Sequence, residues 1–106
     1  MPYFDYDYYS DSLYISKTKE KVKGSIRVGD FIMDISFDTR VIGLEILNAS
    51  KNLGTTKKSL KNIKKAKIRT ILKRDFFGVA YMVVGSKKPI KDSEIVLPLE
   101  KPIAQC

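Results

Sequence analysis

The sequence predicts an α+β fold: an antiparallel β-meander, a short helical connection and a C-terminal antiparallel β layer. Three observations predict it. Phe31, Met33, Ile35 and Phe37 alternate with Ile32, Asp34, Ser36 and Asp38, the period of a half-buried strand. Val41-Ile42-Gly43-Leu44-Glu45-Ile46-Leu47 is short, apolar, rich in β-branched residues and bounded by turn residues, so it reads as the strand on which the sheet is built. Val79 to Val84 is apolar without interruption and reads as a central strand of the second layer. At 106 residues the chain has the length of one domain, divided into a β-meander over residues 1–50 and a basic, strand-rich extension over 51–106.

The elements follow in order. Met1 to Tyr9 alternates, with Phe4, Tyr6 and Tyr8 on one side and Tyr3, Asp5 and Asp7 on the other. Ser10-Asp11-Ser12 turns the chain into a second strand, with Leu13 and Ile15 inward. Lys17 to Gly24 is charged and aperiodic, a loop or a solvated extension of that strand. Ser25 to Val28 is a short strand, and Gly29-Asp30 is a turn or bulge before the alternating run. After the turn at Asp38-Thr39-Arg40 the chain returns with Ile42, Leu44 and Ile46 on one face and Val41, Gly43, Glu45 and Leu47 on the other. Phe31, Met33, Ile35, Phe37, Ile42, Leu44, Ile46 and Val83 are the expected core.

Asn48 or Ser50 can cap a helical turn ended by Gly54, and Thr56 a second over Lys57–Asn62, both anchored by Leu53, Leu60 and Ile63. Lys64 to Arg74 reads two ways. As a strand it points Ala66, Ile68, Thr70 and Leu72 inward and Lys65, Lys67, Arg69 and Lys73 outward, with Ile71 an exception. As a helix it presents a broad apolar stripe. The strand is preferred, because a turn around Phe76-Phe77 and strong strand sequence follow. Gly85 to Pro89 is a loop. Ile95, Leu97 and Leu99 form a last strand that Pro98 and Pro102 place at an edge or an end.

Composition narrows the chemistry. Histidine is absent, which removes His-based triads and His metal ligands. Cys106 is the one cysteine, so no intrachain disulfide and no thiolate zinc site is expected. No glycine-rich phosphate loop is present. The expectation is a chain without catalytic residues, cofactor or metal. No signal peptide or membrane-length apolar run is visible, which points to the cytoplasm.

Charge is uneven: residues 1–50 hold six Lys/Arg against eight Asp/Glu, and residues 51–106 fourteen against four. The basic residues include Lys57, Lys58, Lys61 and Lys64, followed by Lys65, Lys67, Arg69, Lys73 and Arg74. The last five make a candidate row for a phosphate backbone if the segment is a strand. The competing reading is a solvated surface that blunts an edge strand. The carboxylates Asp7, Asp11, Asp34, Asp38 and Glu45 could hold a hard cation or work as an acid/base pair. Aspartates at turns more often bond the local backbone, and Glu45 inside an apolar strand is given a structural role. Tyr3, Tyr6, Tyr8, Tyr9 and Tyr14 are read as packing or interface residues before base-stacking ones.

Two blocks carry a family resemblance. Tyr6-Asp7-Tyr8-Tyr9-Ser10-Asp11-Ser12-Leu13-Tyr14-Ile15 contains a Tyr-Asp followed by Asp-x-Leu-Tyr-Ile. Asp34 to Ser50 runs from an acidic turn into Gly43-Leu44-Glu45-Ile46-Leu47 and closes on Ala49-Ser50. Together they resemble the domain-of-unknown-function family 2283, over about the first half of the chain. Where that family's turn offers more acids and a glycine, this chain has Ser36, Phe37 and Thr39. The resemblance implies structural roles for Asp7, Asp11, Asp38, Gly43 and Glu45 and supplies no catalytic residue or cofactor. The expected function is a small non-enzymatic binding domain with a protein partner, with a nucleic-acid-binding module as the alternative. A homo-oligomer is compatible with both.

Overall fold

The computed structural model describes residues 3–99; Cys106 and Pro102 lie outside them. Among the described residues eight strands and two short helices follow one another: β1 (Tyr3–Asp7), β2 (Ser12–Ser16), β3 (Val22–Val28), β4 (Phe31–Ser36), β5 (Val41–Ile46), α1 (Ala49–Asn52), α2 (Lys57–Leu60), β6 (Lys65–Leu72), β7 (Phe76–Val84) and β8 (Pro89–Pro98). All strand pairs are antiparallel. The α+β class, the two antiparallel layers and the helical connection are as expected. Lys64–Arg74 resolves as the strand β6, and β8 is an edge strand with Pro98 at its end.

The order of strands in the first sheet departs from a meander. Its order is β1-β2-β5-β4-β3. β3, β4 and β5 do run consecutively, but β2 pairs with β5, so residues 17–21 carry the chain across two strands to the far edge. That is a Greek-key connection. β3 also begins at Val22, three residues earlier than the sequence suggests, because β4 gives Val22 a partner in Ser36.

Both sheets turn one face to a shared core. Leu13, Ile15, Met33, Val41, Leu44 and Ile46 from the first meet Ala66, Ile68, Phe77, Val79, Tyr81 and Val83 from the second. β6 packs against β5, β2 and β1, and Val41 N–H donates to Thr70 Oγ1 at 2.9 Å across the layers. Leu53, Leu60 and Ile63 are buried and fasten the helical connection to this core. Thr56 caps α2 by accepting from Ser59 N–H at 3.1 Å, and Gly54 closes α1 in the left-handed region at φ +64°.

Five core expectations need correction. Phe37 is 65% exposed, because β4 ends at Ser36 and Phe37 already belongs to the turn. Phe31 and Ile35 are half-buried rather than buried. A register shift pairs Asp34 with Gly43 but Ile35 with Val41, leaving Ile42 as the bulged residue. The bulge moves Val41 into the core; Ile42 is also buried but outside the central cluster. At the end of β6, Leu72 is 49% exposed and Ile71 is buried, the reverse of the strict alternation. No helix among the described residues is long and apolar enough to cross a membrane.

Candidate functional site

The motif aspartates are each held by hydrogen bonds within the chain. Asp11 sits in the β1–β2 turn at φ 53°. Its carboxylate accepts from the Tyr6 hydroxyl at 2.6 Å, the Ser50 hydroxyl at 2.7 Å and the Ser50 N–H at 3.1 Å. Its carbonyl accepts from Ala49 N–H at 2.8 Å. A residue 39 positions away therefore caps α1, whose own N-cap Asn48 is left-handed and makes no side-chain cap. Burial alone would raise the Asp11 carboxyl. The Tyr6 and Ser50 donors, with Lys57 nearby, outweigh it and hold the group below the usual carboxylate range. Burial and the same bond push the Tyr6 phenol up.

The outward face of the first sheet carries a second connection. The Tyr14 hydroxyl donates to Asp34 at 3.0 Å, and the Ser25 hydroxyl donates to the same carboxylate at 2.7 Å. Tyr14 and Asp34 stand on β2 and β4, and the bond passes over Gly43 of β5. A Cβ at Gly43 would meet the Tyr14 hydroxyl and lie 2.9 Å from Asp34 Oδ2. Gly43 is thus a glycine because a side chain crosses it. Burial and the bond to Asp34 push the Tyr14 phenol up to about 12.

Asp7 accepts from Tyr9 N–H at 3.0 Å and so closes its own turn. Asp38 accepts from the Ser36 hydroxyl and, at 3.0 Å, from Arg40 Nε, and these bonds hold it below the usual carboxylate range. Arg40 also pairs with Glu20. Glu45 is half-buried opposite Tyr14 and Ile32 on the outward face, and no ion pair reaches it among the described residues. The same residues contain no convergent group of three or more Asp, Glu, His or Cys side chains.

The cationic row lies on the other sheet. Lys65, Lys67 and Arg69 are exposed on the outward face of β6; Lys73 and Arg74 are exposed in the β6–β7 turn. The register shows what stands beside them. Across the face, Lys67 is followed by Met82 on β7 and Asp92 on β8; Arg69 is followed by Ala80 and Glu94; Ile71 is followed by Gly78 and Val96. Cations line one edge, acids the other, and small or apolar side chains form the floor. The two charged rows are two strand spacings apart, roughly 10 Å, and no ion pair joins them among the described residues. Both ion pairs among the described residues belong to Arg40 instead. Two shallow grooves run along this face, one bordered by Lys17, Lys67, Met82 and Asp92, the other by Ile71, Phe76, Glu94 and Val96. Phe76 is 44% and Val96 39% exposed there.

Sequence reasoning found the cations and missed the acids. Asp92 and Glu94 alternate with Ser93 and Ile95, but the strand was expected to begin only at Ile95, whereas β8 begins at Pro89. Lys87 and Lys88, read only as loop, border a cleft of about 650 Å³ together with Lys58, Ser59, Asn62 and Ser86; among the described residues no carboxylate lines it. Tyr8, 42% exposed, has Lys57 Nζ at 4.7 Å and Lys61 Nζ at 4.8 Å from its ring centroid.

Comparison with known proteins places this geometry. Residues 4–50 match the model of a family described as "Protein of unknown function (DUF2283)". A protein of Methanosarcina mazei named "Putative hypoxanthine phosphoribosyltransferase" is 36% identical over 61 residues, covering 58% of this chain and 50% of that protein. The chain thus spans half the length of that relative. An uncharacterized protein of Methanocaldococcus jannaschii is 33% identical over 95 residues, 86% of this chain and 82% of its own. No solved structure matches. The hydrogen-bonded links through Asp11 and Asp34 fall inside residues 4–50, and the similarity to the jannaschii protein extends well beyond that stretch in length; the chain belongs to the DUF2283 family of proteins of unknown function.

Proposed function

We propose that the chain is a non-enzymatic binding domain, that its partner is a protein, and that the outward face of the β6-β7-β8 sheet receives it. One observation carries the reading: the cationic row of β6 is accompanied by the acidic row of β8 across an apolar floor. A nucleic-acid backbone laid along Lys65, Lys67 and Arg69 would run roughly 10 Å from two carboxylates, about one Debye length at physiological salt. Their repulsion subtracts from the attraction. A protein surface can oppose both signs at once and also cover Phe76 and Val96.

The non-enzymatic part rests on a sequence without histidine and on the motif aspartates Asp7, Asp38 and Asp11, already committed to turns and a cap. The phosphoribosyltransferase name of the mazei protein is not carried over, since the chain spans half of that protein. A cytoplasmic site of action fits the same reading.

The alternative, nucleic-acid binding, is favoured by a different place. Among the described residues no carboxylate lines the cleft bordered by Lys58, Lys87 and Lys88, and Tyr8 carries two lysines on its ring. A salt titration with DNA and RNA separates the two. The protein reading expects no appreciable binding of either at physiological salt. Binding that falls steeply with salt and is abolished by Lys65→Gln, Lys67→Gln and Arg69→Gln together would overturn the assignment of the β6 face. Binding abolished only by Lys58→Gln, Lys87→Gln and Lys88→Gln would place nucleic acid in the cleft.

A further inference from the structure

We propose that the partner on this face is a second copy of the chain, docked face to face about a two-fold axis parallel to β7. The proposal rests on reading the face as a protein interface and names its occupant. The register of the sheet carries it. Along the outward face the rows are Lys67–Met82–Asp92, Arg69–Ala80–Glu94 and Ile71–Gly78–Val96. A two-fold axis in the interface plane and parallel to β7 exchanges β6 with β8 and leaves height along the strand unchanged. Lys67 of one copy then lies over Asp92 of the other, Arg69 over Glu94, and Ile71 over Val96. The middle strand meets itself.

Two rows are complementary under that one operation, with opposite charges facing in each; in the third, exposed Val96 stands over Ile71, which its own chain already buries. The other in-plane two-fold, perpendicular to the strands, would lay β6 on β6 and set cations against cations. The charge pattern therefore selects the axis as well as the partner. Such a contact is isologous and closed, so it yields a dimer and not a filament. Aligned sheets stack roughly 10 Å apart, a gap that lysine, arginine and glutamate side chains bridge. Ala80 and Gly78 on the central strand keep the middle of the contact low.

The face is modest. Eight residues of β6 by three strands give roughly 27 × 15 Å, or about 400 Å² per copy in projection, against about 800 Å² buried per partner in a standard interface. The dimer is accordingly weak and concentration-dependent, with its partner choice set by charge.

The test is sedimentation equilibrium of the full chain up to millimolar concentration, with Arg69→Glu and Glu94→Arg variants. Circular dichroism melts establish that both variants fold; their exposed positions predict melts like wild type. Wild type is expected to show a monomer–dimer equilibrium. Each variant alone sets like charges against each other twice across the axis and is expected to weaken dimerisation at least ~30-fold. Mixed in equal amounts, the two variants are expected to associate again, because every opposed pair between positions 69 and 94 is then opposite in sign. A wild type that stays monomeric overturns the proposal, as do single variants that dimerise like wild type or a mixture that fails to associate. The protein-interface reading itself fails by a separate result, the nucleic-acid binding abolished by glutamine at Lys65, Lys67 and Arg69.

Discussion

The two sheets share one core and turn their other faces outward, and those faces are built differently. On the five-stranded sheet the polar groups answer one another: Tyr14 reaches over Gly43 to Asp34, Ser25 donates to the same carboxylate, and the Tyr3 ring packs edge-on against Tyr14 at 6.4 Å. On the three-stranded sheet the charges are kept apart by Met82 and Ala80, while Phe76 and Val96 stand in solvent. Polar groups satisfied within the chain contribute to its stability and ask for no partner. Unpaired rows of both signs around an apolar floor contribute little to stability and suit association. Removing side chains should therefore cost stability on one face and association on the other.

The largest effect tests the backbone beneath the second face. A Cβ at Gly78 would run into the Ile95 carbonyl and lie 2.9 Å from Val96 Cα, so β8 itself must move. Gly78→Ala is expected to cost about 3 kcal/mol in denaturant melts and to disturb the β7–β8 register. An unchanged midpoint would mean that β8 is loosely held and the charge rows are not in fixed register.

Asp11 comes next, because it joins the first sheet to the helical connection. Asp11→Asn is expected to cost about 2 kcal/mol at neutral pH, since charge-assisted bonds to Tyr6 and Ser50 weaken together. Its folded carboxyl lies below the ordinary range, so its contribution is complete above the unfolded pKa and is lost as pH falls through the folded value. Melts of wild type and variant should keep a constant gap down to about pH 4 and converge below it. A gap that persists at lower pH would show that the loss is steric.

On the first outward face, Gly43→Ala and Tyr14→Phe are each expected to cost about 1 kcal/mol, because both remove the Tyr14–Asp34 bond. In a double-mutant cycle the two costs should fall short of additivity. The Tyr14 phenol is raised, so its contribution is present below the unfolded value of about 10 and is lost between there and about 12. Ultraviolet titration should show a late-ionising tyrosine that Tyr14→Phe removes.

The smallest stability effect is expected on the second face. Lys67→Gln and Arg69→Gln should each shift stability by less than about 0.5 kcal/mol, because both side chains are exposed and unpaired within the chain. The contrast with Tyr14→Phe is the sharpest check on the comparison. Losses of similar size on both faces would dissolve it.

Much of this architecture is local and was open to reading in the sequence. Alternation placed Leu13, Ile15 and Leu44 inward, and it put Lys65, Lys67 and Arg69 on one outward face, because side-chain direction in a strand follows from a period of two. Thr56 as a cap and Gly54 as a helix stop were legible for the same reason, since the groups they satisfy are within a few residues. What only the tertiary structure decided is pairing across distance. β2 lies beside β5, Ile42 bulges and draws Val41 inward, Asp11 caps a helix 39 residues on, and Asp92 and Glu94 face the cations of β6. The physical reason is that an alternating pattern specifies which way a side chain points but not which strand lies alongside; register and neighbour are chosen by the whole core closing at once.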